Sequence, residues 1–392
     1  MQPPPEQVAL FFLGVLGALA VSGILVAWLI EQHRQGREVL PYRARRPVPW
    51  RGRHVLVLAL VFILAPSVVR WGLELAELDV VLLETIKKTS ASEENNRNGA
   101  PDGDSSSSPD QRSSPSVGKV ALRFEAENRT SFERLGPGQT PTESPAGVQP
   151  KQEQGHEIEQ LLRQGGGIGV WVLAALMALI AAPLIEEWLF RAVLQGWLEK
   201  MERRLFRQVR WYERMRAAAA GDPLRPKTGL REFWWNGKLL GAAPVAVSSL
   251  LFAGLHVRLA GPPTPADEIL LMLLCQGLGN LLSFAAGMVF LRIACGARAE
   301  DFGLSKLAPQ KEIPSGLLAY LVVVGPVYAV MILTKILLLL FGADQIAPDP
   351  APLFVLSLVL GLMYFRTHRL LPCIVLHMAF NATGLAIFWA FS

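Results

Sequence analysis

Two adjacent carboxylates lie inside an apolar run, Pro183-Leu184-Ile185-Glu186-Glu187-Trp188-Leu189-Phe190-Arg191. Of the six histidines, only His256 and His377 fall within apolar stretches; His33, His54, His156 and His368 lie in loops or at stretch edges. An ionisable group in a long apolar segment is costly, so it marks a functional site by default. At about 100° per residue, Glu187 and Arg191 stand one helical turn apart and can pair. Glu186 points elsewhere, has no partner on its own helix, and is a candidate general base or acid. Pro183 removes a helical hydrogen bond just upstream and is expected to bend the helix there. Phe252-Ala253-Gly254-Leu255-His256 closes a second apolar run, and His377-Met378-Ala379-Phe380-Asn381 sits in the last one. His377 and Asn381 share a helix face. An imidazole and an amide on one face can bind a polar ligand or an oxyanion.

The elements that must hold these groups follow from composition. The chain has 392 residues, 51% hydrophobic and 18% charged, against about 25% charged in an average soluble protein. Its charges sit in blocks. Between them run stretches of about 20 apolar residues, each able to cross about 30 Å of hydrocarbon. This predicts an all-α polytopic membrane protein with eight spans: Val8–Ile30, Val55–Leu75, Ile168–Leu198, Leu239–Leu259, Ile269–Cys295, Leu317–Leu340, Pro352–Phe365 and Leu370–Phe391. A soluble enzyme, a disulfide scaffold and a wholly disordered chain are excluded. Cys275, Cys295 and Cys373 lie in apolar stretches without CxxC spacing and read as buried thiols. The first span carries Glu6 upstream and no early Lys or Arg, and it is longer than a signal-peptide core.

The loops alternate in sign. Residues 31–53 hold seven Arg against two acids, and 199–238 hold eleven bases against five acids. Residues 76–167 hold fifteen acids against ten bases, and 343–350 hold only Asp344 and Asp349. Positive loops stay cytoplasmic, so both termini are placed extracytoplasmically, with a bacterial plasma membrane as the expected setting. The net charge of +5 then reports topology, and no nucleic-acid partner is expected. Arg mixed with Trp211, Tyr212, Phe233, Trp234 and Trp235 reads as an amphipathic inner-leaflet helix with an aromatic belt. The Ser-rich stretch 89–115 is too polar to fold on its own, and Asn128-Arg129-Thr130 is a glycosylation triplet of a kind common by chance. The domain reading is a pair of N-terminal helices over 1–76, an acidic loop over 77–167, and a core over 168–392. Gln276 and Asn280 read as polar glue between helices, and Lys335 and Arg258 as snorkelling bases.

Counted inward from cytoplasmic-side bases at about 1.5 Å per residue, Glu186 lies about 21 Å from Lys200 and His256 about 27 Å from Lys238. His377 lies about 12 Å and Asn381 about 18 Å from Arg369. These depths permit one shared buried site.

Glu-Glu-x-x-x-Arg, then Phe-x-x-x-His, then His-x-x-x-Asn, each on its own span, resembles the CPBP family. These are the CAAX proteases and bacteriocin-processing enzymes, also called Abi proteins. The match covers Ala182–Gln195, Ser248–His256 and Phe354–Thr383, and the run Gly361-Leu362-Met363-Tyr364-Phe365-Arg366-Thr367 is also typical. The resemblance implies a helical core with a catalytic cavity in the bilayer and a membrane-associated protein or peptide as substrate. It implies that Glu186 and His256 activate water, that His377 and Asn381 stabilise an oxyanion, and that Glu187, Arg191 and Phe252 support them. Against the family pattern, the gap between the second and third motifs is expected to hold an inserted helix pair at about 261–350. Its hexapeptide Ala299-Glu300-Asp301-Phe302-Gly303-Leu304 resembles the linker that usually precedes the first motif.

No cofactor is expected; were a metal present, zinc on Glu186, His256 and His377 is the alternative. There is no HExxH and no Gly-x-Ser-x-Gly elbow in a span. Ser248 and Ser249 share a helix with His256, whereas a Ser–His dyad should face across helices. The competing functions are a non-catalytic membrane adaptor or immunity factor on the same scaffold, and a proton-coupled transporter built on buried Glu and His.

Overall fold

Long apolar runs become helices because no water in a bilayer satisfies backbone N–H and C=O groups, and a helix satisfies them internally. The computed structural model describes residues 5–37, 40, 42–43, 46–76, 168–219, 240–259, 266–304, 308–341, 346–347 and 350–391. All of them belong to one unit of the chain, 1–91 with 155–392; a second unit spans 92–154. The acidic loop over 77–167, its Asn128 triplet, and the aromatic cluster Phe233, Trp234 and Trp235 lie outside the described residues.

The described helices are α1 (Pro5–Arg34), α2 (Gly52–Leu75), α3 (Ile168–Leu176), α4 (Ala182–Glu187), α5 (Gly196–Ala219), α6 (Ala242–Leu255), α7 (Ala266–Cys295), α8 (Pro309–Leu340), α9 (Pro350–Thr367) and α10 (Leu371–Phe391). Two π-helical stretches, Met177–Ala181 and Trp188–Gln195, join α3, α4 and α5 into one continuous run. Among the described residues six helical spans are long and apolar enough to cross a membrane, and two apolar helices, Ala242–Leu255 and Leu371–Ile387, are shorter. The protein is therefore an integral, multi-pass, all-α membrane protein. Among the described residues the one sheet is a pair of two-residue strands, Arg258–Leu259 against Ile346–Ala347.

Several span boundaries differ from the sequence reading; α8 begins at Pro309 rather than Leu317. The third span does not stop at Leu198 but continues as helix to Ala219, because the basic residues that follow are good helix formers. The fourth is only 14 residues, about 21 Å long. It ends at His256 because the chain then turns into the extended backbone of Arg258–Leu259. His256 therefore caps a helix rather than sitting within one.

The helices pack in pairs: α1 along α8, α2 along α7, α6 along α9, and α8 against both α9 and α10. Small residues set the closest approaches, as expected where lipid is as apolar as the helix surface. A Cβ at Gly279 would stand 2.7 Å from the Pro66 nitrogen, and one at Gly325 would stand 2.7 Å from the Ala18 carbonyl. Ser22 Oγ donates to Leu321 O at 2.8 Å across the same α1–α8 contact. Among the described residues, Gln276 and Asn280 bond to each other, one turn apart on α7 at an exposed position.

Four base-bearing segments meet at one end of the bundle. Lys200 Nζ donates to the carbonyls of Val48 and Trp50, each at 2.7 Å. Trp50 Nε1 donates to Val193 O at 3.0 Å, and its ring stacks on Phe302 at 5.3 Å. Arg46 holds both oxygens of Asp301, at 2.7 and 2.6 Å. Leu370 N–H closes the cluster on Gly303 O. This joins the ends of α2, α5, α7 and α9 around Trp50, Trp188 and Phe302, which are almost fully buried.

Candidate active site

Adjacent residues on a helix diverge by about 100°, so α4 sends its two carboxylates in different directions. Glu187 points inward and is completely buried, whereas the Glu186 side chain is 26% exposed. The α-turn that carries them lies between π-helical stretches, a local widening often found at functional sites. Pro183 sits at its first turn, where its missing N–H relaxes the upstream ladder.

Two elements converge on Glu186. His256 Nε2, from the end of α6, lies 3.8 Å from Glu186 Oε1. His377 Nε2, from α10, lies 3.8 Å from Glu186 Oε2. These separations are too long for direct hydrogen bonds and fit a bridging water. The far side of each ring is fixed. His256 Nδ1 is 2.7 Å from the Phe252 carbonyl, and His377 Nδ1 is 3.0 Å from Glu187 Oε1. A carbonyl and a carboxylate only accept, so Nδ1 carries the hydrogen in both rings, and a neutral ring turns its Nε2 lone pair toward Glu186.

Behind this lies a second set of contacts. Each nitrogen of the Arg191 guanidinium meets a different group: Nε meets Glu187 Oε2 at 3.2 Å, Nη1 meets Ser248 Oγ at 3.2 Å, and Nη2 meets Ser357 Oγ at 2.6 Å. Ser248 Oγ in turn donates to Phe190 O at 3.0 Å, which commits that hydroxyl to structure. Phe252 forms the floor. Its ring centroid lies 4.5 Å from that of His256 and 6.0 Å from that of His377, with Arg191 Cζ 5.5 Å above its face.

The structure thus brings Glu186, Glu187, Arg191, Phe252, His256 and His377 into one contiguous cluster. Asn381, one turn from His377, donates from Nδ2 to the backbone carbonyl of Ala178 at 2.7 Å. Ser248 and Ser357 were missed as site residues. Ser357 left a signal, a hydroxyl in the otherwise apolar run Pro352–Tyr364, of the kind that bonds across membrane helices. Among the described residues no group of three or more His, Cys, Asp or Glu side chains is arranged to hold a metal ion. The 3.8 Å from Glu186 to each imidazole also exceeds the roughly 3.3 Å between neighbouring ligands of a tetrahedral zinc.

A family model described as type II CAAX prenyl endopeptidase Rce1-like matches residues 168–298 and 302–383. The matched range runs from the start of α3 into α10 and through both helices of the pair at 261–350, pausing only at 299–301. No curated protein and no solved structure matches the chain.

Proposed function

Because the chain belongs to the Rce1-like type II CAAX prenyl endopeptidase family, a family of CAAX-type proteases, we propose that it is an intramembrane endopeptidase in which Glu186 and His256 activate a water. The observation that carries this reading is the approach of two imidazole Nε2 atoms to the two oxygens of one partly exposed carboxylate, each at 3.8 Å. A water held between Glu186 and His256 loses a proton to the carboxylate as its oxygen attacks the scissile carbonyl carbon. The same proton then passes to the leaving amine, and the peptide is cut without a covalent enzyme intermediate.

The tetrahedral oxyanion is assigned to His377 and Asn381. To donate, Nε2 of His377 must carry a hydrogen in addition to Nδ1. Glu187, 3.0 Å behind Nδ1, supplies the negative charge that balances the imidazolium so formed. Arg191 and its two serines keep Glu187 in that place. The substrate is a membrane-associated protein or peptide, and the family description makes a peptide with a prenylated C-terminal cysteine the first candidate.

The test is cleavage of such a peptide by protein reconstituted in vesicles. Glu186→Gln and His256→Ala are each expected to lose about 10²- to 10⁴-fold in rate while the protein still inserts. Full activity in Glu186→Gln overturns the reading. Activity is expected to survive a chelator; loss by chelation with recovery on adding zinc would transfer the chemistry to a metal on Glu186, His256 and His377.

A further inference from the structure

The π-helical stretch Met177–Ala181 leaves one carbonyl with a particular vacancy. In a π-turn the donor comes from five residues ahead, and the Ala182 N–H bonds the Met177 carbonyl accordingly. The next carbonyl, Ala178, would draw its donor from residue 183 in that register. Residue 183 is proline, which has no N–H. Asn381 fills the position: its Nδ2 donates to Ala178 O at 2.7 Å from 203 positions along the chain. Since a carbonyl cannot donate, this contact decides which end of the amide faces it.

We propose that Pro183 is a positioning residue of the site. By withholding an N–H it keeps the Ala178 carbonyl open for Asn381. The bond that results sets the amide in one orientation and fixes the turn of α10 bearing His377 against the helix bearing Glu186. Pro183 precedes Glu186 by three residues, about 4.5 Å of rise, and Asn381 follows His377 by four, about 6 Å. A slip at the Asn381–Ala178 contact is therefore transmitted to both catalytic groups within one turn. This inference rests on the proteolytic reading for its kinetic consequence but not for its structural one. An amide has two N–H groups, so the bond to Ala178 leaves the second available for the oxyanion.

A double-mutant cycle of Pro183→Ala and Asn381→Ala in the full chain tests it. Pro183→Ala returns an N–H to the backbone. Ala178 then gains a donor from residue 183 in the π register, or from Ala182 if the turn relaxes to the α register. Asn381→Ala is expected to lower the thermal midpoint in detergent. In the Pro183→Ala background that loss is expected to shrink by at least half, because the two positions share one acceptor. In the peptide assay Pro183→Ala alone is expected to lower kcat about tenfold or more with KM unchanged, as a displaced catalytic geometry does. Equal midpoint losses in the two backgrounds overturn the proposal, as does an unchanged kcat in Pro183→Ala. The midpoint arm needs no substrate, so it stands even if the protein cleaves nothing; should the double variant fail to insert, the kcat of Pro183→Ala decides.

Discussion

Glu187 has no exposed surface, and both of its oxygens are committed, one to His377 and one to Arg191. A buried charge is tolerated only when it is paired and fully hydrogen-bonded, and Arg191 meets that condition through Glu187, Ser248 and Ser357. The spacing of Glu187 and Arg191 made their pairing readable in advance. The two serines were not readable, because a hydroxyl gains meaning only from what another helix places beside it. Ser357→Ala leaves one Arg191 nitrogen buried without an acceptor. It is expected to cost about 1–3 kcal/mol of stability, measured as a lower thermal or denaturant midpoint. Arg191→Lys is expected to cost more activity than Ser357→Ala in the cleavage assay. A lysine ammonium is a point charge and cannot serve three partners arranged for a planar fork.

Among the elements, the run from α3 to α5 departs furthest from a plain membrane helix. Pro183 announced a disturbance; its form, two π-helical stretches around a six-residue α-turn, depends on partners from other elements. Asn381 takes the Ala178 carbonyl, and Trp50 adds a second donor to Val193 O, which also accepts the Gly196 N–H. The hexapeptide 299–304 acts similarly at the basic end. It folds into a 3-10 turn over Ala299–Phe302 whose Asp301, almost fully buried, binds Arg46 and the Arg298 N–H. Its resemblance to a family linker thus marks a structural joint. Asp301→Ala is expected to cost about 1–2 kcal/mol, because Arg46 is half exposed and its contribution is screened. Lys200→Met strips the donor from the carbonyls of Val48 and Trp50 and is expected to cost about 1–3 kcal/mol. Thermal midpoints of the two variants in detergent measure both effects.

For the whole molecule, α1 and α2 do not stand apart as a separate pair: α1 lies along α8 and α2 along α7. The two helices of segment 261–350 are thus each sided by an N-terminal helix that lies outside the matched family range. The clustering of residues 40, 42–43, 46–51, 200, 298–304 and 366–370 at one end agrees with the alternation of loop charge. Under the orientation proposed from that charge, this end is cytoplasmic. In a cysteine-free background, Phe341→Cys, which is highly exposed, is expected to react with a membrane-impermeant thiol reagent added outside intact cells. Gln35→Cys is expected to react only after the membrane is opened. The reverse pattern inverts the orientation.

The sequence by itself determined the helical, membrane-spanning architecture, because twenty apolar residues in a row have no other way to satisfy their backbone in lipid. It also singled out which ionisable side chains are candidates for function, since each is an exception to an apolar run. It did not determine that Glu186 would sit between two imidazoles, that His256 would cap a short helix, or that Asn381 would supply a donor that Pro183 lacks. Those outcomes depend on how far each helix is rotated and shifted against its neighbours. That is decided by close contacts such as Gly279 with Pro66 and Gly325 with Ala18, and by hydrogen bonds between residues far apart in the chain. Spacing along one helix carries no information about either.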